Sequence, residues 1–157
     1  MTTILFDPVD RALYADMQMT MGNLIATSNK QKLKVVHHPD LGECLAGGAG
    51  AIDEIEAALH YLIQGGDKPT LKDISVILIT KAGDLYNAFE GQLRLIKMPF
   101  SADAIGSGMT IALAVLHATQ NPLQAMQTAK ALDIYTGGAI QKGWFDGERW
   151  CIETIDA

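Results

Sequence analysis

No stretch of this chain stays apolar long enough to span a bilayer, and no run of lysine and arginine interrupts an acidic balance of −6. The first absence excludes a helical membrane protein; the second argues against a nucleic-acid groove. Cysteine is scarce. Cys44 and Cys151 lack metal-type spacing and are expected as reduced thiols in a cytoplasmic protein. The N-terminus has no basic region followed by an apolar segment, so no secretory signal is expected. Among four histidines, His37 and His38 are adjacent. In a strand such neighbours point to opposite faces, so no metal is expected there. Internal repeats, linkers and low-complexity segments are also missing. What remains is an ordinary soluble globular mixture: 157 residues, 48% hydrophobic and 19% charged, long enough for one domain over 1–157 with a full core.

The local patterns predict alternating structure. Thr2 to Phe6 reads as a strand, Asp7-Pro8-Val9-Asp10 as a turn, and Arg11 to Ala15 as the returning arm of a hairpin. Asp16 to Met21 has period two, which would put Met17, Met19 and Met21 on one strand face as core filler. Lys32 to His37 is a further strand closed by Pro39-Asp40. Cys44 to Ala46 is a short strand running into a glycine turn, Gly47-Gly48-Ala49-Gly50.

Ile52, Ile55, Leu59, Leu62 and Ile63 form one helical stripe that Gly65-Gly66 ends. Ile74 to Thr80 is an apolar strand, and Tyr86 to Phe89 and Gln92 to Ile96 are two more, separated near Glu90-Gly91. Gly106-Ser107-Gly108 opens a helix over 109–119, apolar nearly all round and therefore expected to be buried. Asn121-Pro122 caps and starts a third helix to about Leu132. Ile140 to Phe145 and Arg149 to Ile155 close the chain as a hairpin around Asp146-Gly147. This order is not βαβ alternation. It suits an α+β fold of two facing antiparallel sheets with helices on the outer faces.

Chemistry enters at Met1-Thr2-Thr3. Removal of Met1 would leave Thr2 with a free α-amine beside its own hydroxyl, so one residue could be nucleophile and base. Further motifs follow in order: Asp16-Met17-Gln18-Met19-Thr20-Met21-Gly22-Asn23, Lys32 in a new strand, Ala46-Gly47-Gly48-Ala49, Gly106-Ser107-Gly108, and Asp133-Ile134-Tyr135-Thr136-Gly137-Gly138. No one of them is specific, but the ordered set resembles the β-type subunits of proteasomes, and most closely the HslV-type peptidase. These are N-terminal nucleophile hydrolases with a four-layer αββα sandwich.

The resemblance implies a threonine endopeptidase that needs no cofactor. It implies self-association into hexameric or heptameric rings, stacked on one another, acting on peptide or unfolded protein, with an ATP-dependent unfoldase among the partners. Thr2 would attack the peptide carbonyl. Its amine, with a reference pKa of about 7.7–8.0, is suited to proton transfer near neutral pH. Lys32 would set a positive charge against the hydroxyl and amine, and Asp16 would hold Lys32 charged and in place. Gly47 would offer its N–H to the oxyanion. Ser107, Asp133 and Thr136 would form a network around the α-amine. Thr20 and Ala49 would make main-chain contacts with a peptide bound as an added strand, and Met19, Lys30, Leu45 and Ala49 would line the main pocket.

The chain departs from the pattern in three ways. Ala51 stands where the family has an aspartate, Gln18 where it often has arginine, and the length is below that of typical relatives. Two other readings stay open: a catalytically inactive, proteasome-like structural subunit that retains Met1, and an amidase acting on a small molecule.

Overall fold

The apolar run at the start of the chain becomes β1 (Thr3–Asp7), buried at every position because its two faces meet two different layers. Ile4 and Phe6 enter one core cluster with Leu13, Leu45 and Ile77. Leu5 enters another with Ala112, Leu116 and Ala129. The structure is a computed structural model that describes residues 2–22, 24–89 and 91–156. Met1, and Asn23 and Glu90 of the expected turns, lie outside the described residues.

Two five-stranded antiparallel sheets form the centre. The first has the order β10 (Asp103–Gly106), β1, β2 (Ala12–Asp16), β11 (Ile140–Phe145), β12 (Trp150–Asp156). The second has the order β5 (Lys34–His38), β6 (Gly42–Ala49), β7 (Ser75–Thr80), β8 (Leu85–Phe89), β9 (Gln92–Lys97). A separate pair, β3 (Met19–Met21) and β4 (Leu24–Thr27), stands apart from both. Helices α2 (Met109–Thr119) and α3 (Pro122–Leu132) cover the first sheet, and α1 (Ile52–Gln64) covers the second. The layers are therefore α, β, β, α, an arrangement of the α+β class.

Alternation within the strands assigns each side chain to a layer. On β7, Ile77 and Ile79 face the opposite sheet while Val76 and Leu78 face α1. A strand covered on both faces carries no polar alternation, which is why these segments read as continuous apolar runs. Helix ends follow local chemistry. The Asn121 side chain accepts from the Gln124 N–H at 3.0 Å with Pro122 in the first turn, and Gly65 closes α1 at φ 74°.

Four expectations need correction. Gly47-Gly48 is not a turn: β6 runs through it, and the turn begins at Gly50, φ 130°. The glycines serve close packing instead, since a Cβ on Gly47 would come within 2.7 Å of Ile4 Cδ1 and one on Gly48 within 2.6 Å of Ile55 Cγ2. The methionines do not share a strand face. The chain leaves β2 after Asp16, so Met17 is buried while Met21 is 68% exposed. Helix α2 is not enclosed: only Ala112 and Leu116 on it are buried, because a single stripe meets β1, β10 and α3. Finally, β4 and β10 are strands where none was expected; β10 pairs with β1 from Gly106 opposite Thr3 to Asp103 opposite Phe6.

Candidate active site

The site forms where β1 begins. Thr3 stands in register with Gly106 of β10, which holds Thr2 beside the loop that opens α2. The Ser107 N–H donates to the Thr2 carbonyl at 2.8 Å. Gly106 has φ 97°, and a Cβ there would lie 1.7 Å from the Thr2 carbonyl oxygen, so only glycine permits this approach. Thr2 itself is buried, 5% exposed.

From the first sheet, Asp16 sits at the end of β2 with no exposed surface. Its Oδ1 accepts from Lys32 Nζ at 2.8 Å and from the Thr3 N–H at 3.0 Å, and its Oδ2 accepts from the Gly137 N–H at 3.1 Å. Lys32, its side chain 10% exposed, also donates from Nζ to Thr2 Oγ1. Burial pulls the Lys32 ammonium below the ordinary lysine value, and the Asp16 carboxylate works against that fall. A cation held this way favours loss of the Thr2 hydroxyl proton.

On the helix side, Asp133 closes α3. Its Oδ2 receives the Ser107 hydroxyl at 2.6 Å and the Thr136 hydroxyl at 2.5 Å, and its Oδ1 receives the Tyr135 N–H at 3.2 Å. Partial burial pushes this carboxyl up, but the two hydroxyls and the backbone N–H outweigh it and hold it below the usual aspartate value. Thr136 Oγ1 lies 2.7 Å from Thr3 Oγ1, so the network reaches the second threonine of the chain. Gly108 allows this: a Cβ there would fall 2.2 Å from Thr3 Oγ1.

A cavity of about 610 Å³ opens in front of Thr2. Thr2, Met19, Thr20, Lys30 and Lys32 line it. Gly48 lines it too, whereas Leu45 and Ala49 are buried in the inter-sheet core, so the expected pocket lining is brought together only in part. Gly47 belongs to the same inter-sheet layer. Strand β5 begins at Lys34, opposite Ala46, so residues 47–49 pair with β7 on one side and, among the described residues, with no strand on the other. The aspartate missing at Ala51 has a neighbour two residues on: Asp53, in the first turn of α1, lines the cavity. Among the described residues no group of three or more His, Cys, Asp or Glu side chains converges as a metal site would need.

Three contributors had no role assigned from the sequence. The Gly137 N–H reaches Asp16 across the fold, and Thr3 bridges both networks. Gln141, on β11, accepts through Oε1 from the N–H of Lys32 at 2.6 Å and of Leu33 at 2.9 Å.

No family model and no curated protein sequence matches the chain. Among solved structures it is similar to eukaryotic HslV from Trypanosoma brucei, with a TM-score of 0.65 and 20% identity over 99% of this chain and 100% of that one. Against this structure, then, the chain is not the shortened form that was expected. A likeness at this identity speaks to the fold, and two facing antiparallel sheets under helices on both sides agree with it. The chain thus shares the α+β sandwich fold of that structure.

Proposed function

We propose that the chain is a threonine-type endopeptidase whose nucleophile is Thr2, exposed by removal of Met1. The observation that carries this reading is the Lys32 ammonium, in contact with Thr2 Oγ1 and ion-paired to the enclosed Asp16. The freed α-amine takes the hydroxyl proton as Oγ1 attacks the scissile carbonyl carbon, and the carbonyl electron pair moves onto oxygen. Backbone N–H groups of the Gly47–Gly48 stretch steady that oxyanion. Collapse expels the amine, which takes the proton from the Thr2 ammonium and leaves an ester on Thr2. The α-amine of Thr2 then accepts a proton from water, the hydroxide attacks the ester, and the acid leaves as Oγ1 regains that proton from the α-ammonium. Lys32 keeps the hydroxyl acidic throughout. Ser107, Asp133 and Thr136 hold the segment that carries the amine.

An extended peptide fits between the open edge of residues 47–49 and β3, with Thr20 and residues 48–49 supplying main-chain partners. Met19 and Lys30 then meet its side chains, with Ile55, Asp53 and Glu56 on the α1 wall. The β3–β4 pair exposes Met21, Leu24 and Ile25 beside the cavity. That apolar surface favours self-association, which we read as a hexameric or heptameric ring, stacked to enclose the sites in a cytoplasmic chamber fed by an ATP-dependent unfoldase.

Intact-mass measurement on the natively expressed protein should find Met1 absent, and a β-lactone or peptide epoxyketone should add one adduct per chain. Thr2→Ala should take no adduct and hydrolyse no peptide, with its melting temperature little changed. Retained Met1 together with no labelling would sink the peptidase reading and leave the non-catalytic structural subunit.

A further inference from the structure

The segment that carries Lys32 has no regular structure of its own. Residues 29–33 lie between the end of β4 and the start of β5, so the N–H groups of Lys32 and Leu33 have no strand to pair with. Both donate to one atom, Gln141 Oε1, at 2.6 and 2.9 Å. A carbonyl oxygen has two lone pairs, and here both are used on consecutive residues. Gln141 is 2% exposed. It follows Ile140, which packs under the helices, so alternation turns the Gln141 side chain into the space between the sheets. Its neighbours there are apolar: Leu33 and Leu45 pack on the same face of β11 at Gly143, where a Cβ would meet Leu45 Cδ2 at 2.4 Å and Leu33 Cδ1 at 3.1 Å. An amide in such a layer is costly unless it is used. Gln141 is also one residue from Ile140, the register partner of Asp16. The strand that lies beside the carboxylate therefore also grips the backbone that delivers its cation.

We propose that Gln141 is the positioning residue for Lys32, fixing through one amide oxygen the backbone from which the ammonium reaches Thr2 and Asp16. The catalytic part of this inference rests on the peptidase reading; the positioning part does not. Gln141→Met keeps length and apolar contact but removes the acceptor, whereas Gln141→Glu keeps an oxygen in the same place.

The test is run on the whole protein in two arms. In the first, amide hydrogen exchange is followed at Lys32 and Leu33, and the Lys32 side chain is titrated by NMR. Gln141→Met should lose protection at these two amides while β6 and β7 keep theirs. Its Lys32 should titrate closer to the ordinary lysine value as the segment moves towards water. Gln141→Glu should retain the protection. In the second arm, β-lactone adduct formation at Thr2 should slow on the order of 100-fold in Gln141→Met, the scale expected of a misplacement near 1 Å, with most of the rate restored in Gln141→Glu. Unchanged exchange and titration in Gln141→Met would mean that burial of Leu33 alone holds the segment, and would overturn the proposal. So would loss of protection in Gln141→Glu, which also decides the matter if the methionine variant does not fold. Failure of the unsubstituted protein to label would instead sink the peptidase reading, leaving the first arm to judge Gln141.

Discussion

Asp16 and Asp133 reach the Thr2–Thr3 segment from opposite sides and are satisfied by different chemistry. Asp16 comes from the end of β2, is wholly enclosed, and holds a cation and two backbone N–H groups. Asp133 comes from the end of α3, keeps some contact with water, and holds two hydroxyls and one backbone N–H. A buried charge pair is all-or-none: its worth lies in geometry, and losing one partner strands the other. A carboxylate held by neutral donors at the margin of the fold loses its bonds one at a time. The Asp16 side is therefore built to place a charge against Thr2, and the Asp133 side to hold the chain around it.

Breaking the enclosed pair should have the largest effect. Lys32→Met leaves Asp16 buried without its cation and should lower unfolding stability by about 3–5 kcal/mol in denaturant titrations, with β-lactone labelling falling to background. Adding Asp16→Asn to that variant should return most of the stability and none of the labelling, which separates charge burial from chemistry. The pH dependence should divide in the same way. The Lys32 value is lowered from 10.5, so between its folded value and 10.5 the unfolded chain binds the proton that the folded chain has released. Stability from this group therefore rises with pH across that window while labelling declines. If the pH slope of stability there is the same with and without Lys32, the enclosed-cation picture fails.

Asp133→Asn is the milder cut. It keeps the shape but swaps a carboxylate acceptor of two hydroxyls for an amide, and should cost about 1–3 kcal/mol and slow labelling without abolishing it. The Asp133 carboxyl is held below its ordinary 3.8, so its contribution is complete above that pH and is lost as pH falls through the lower folded value. Chemical unfolding between neutral pH and pH 3 should find part of the acid-induced loss missing in Asp133→Asn. An equal loss in both proteins would show that the hydroxyl network does not hold the charge. Asn121→Ala provides the smallest effect and a reference outside the site: about 1 kcal/mol from the lost cap of α3, with labelling unchanged. Altered labelling in this variant would mean that the end of α3, and Asp133 with it, moves with the start of the helix.

The helices were the most legible part of the fold. Met109 to Thr119 and Pro122 to Leu132 stand where glycine, asparagine and proline place their ends, because caps are local chemistry. The closing hairpin was equally plain around Asp146-Gly147. The strands beside the site were less so. β10 is four residues long and gains its pairing from β1, a hundred residues away in the chain. At Gly47-Gly48 the glycines looked like a turn, although what they answer to is the nearness of Ile4 and Ile55. Among the site residues, Thr2, Asp16, Lys32, Ser107, Asp133 and Thr136 stood in ordered motifs and do come together around one segment. Leu45 and Ala49 were assigned to the pocket lining, but alternation along β6 turns them into the inter-sheet core. Gln141 was invisible, since an inward-facing polar residue in a strand covered on both sides carries no pattern.

By itself, then, the sequence determined the order of most elements, the layered α+β class and the set of polar residues available for chemistry, because periodicity, caps and turn residues act over a few positions. Only the tertiary structure decided which of those residues meet. Lys32 touches Thr2 because two sheets close on each other, and Gly137 touches Asp16 because β11 pairs with β2, which puts distant segments within hydrogen-bond reach. Contacts of that kind depend on register and packing between layers, which no local pattern encodes.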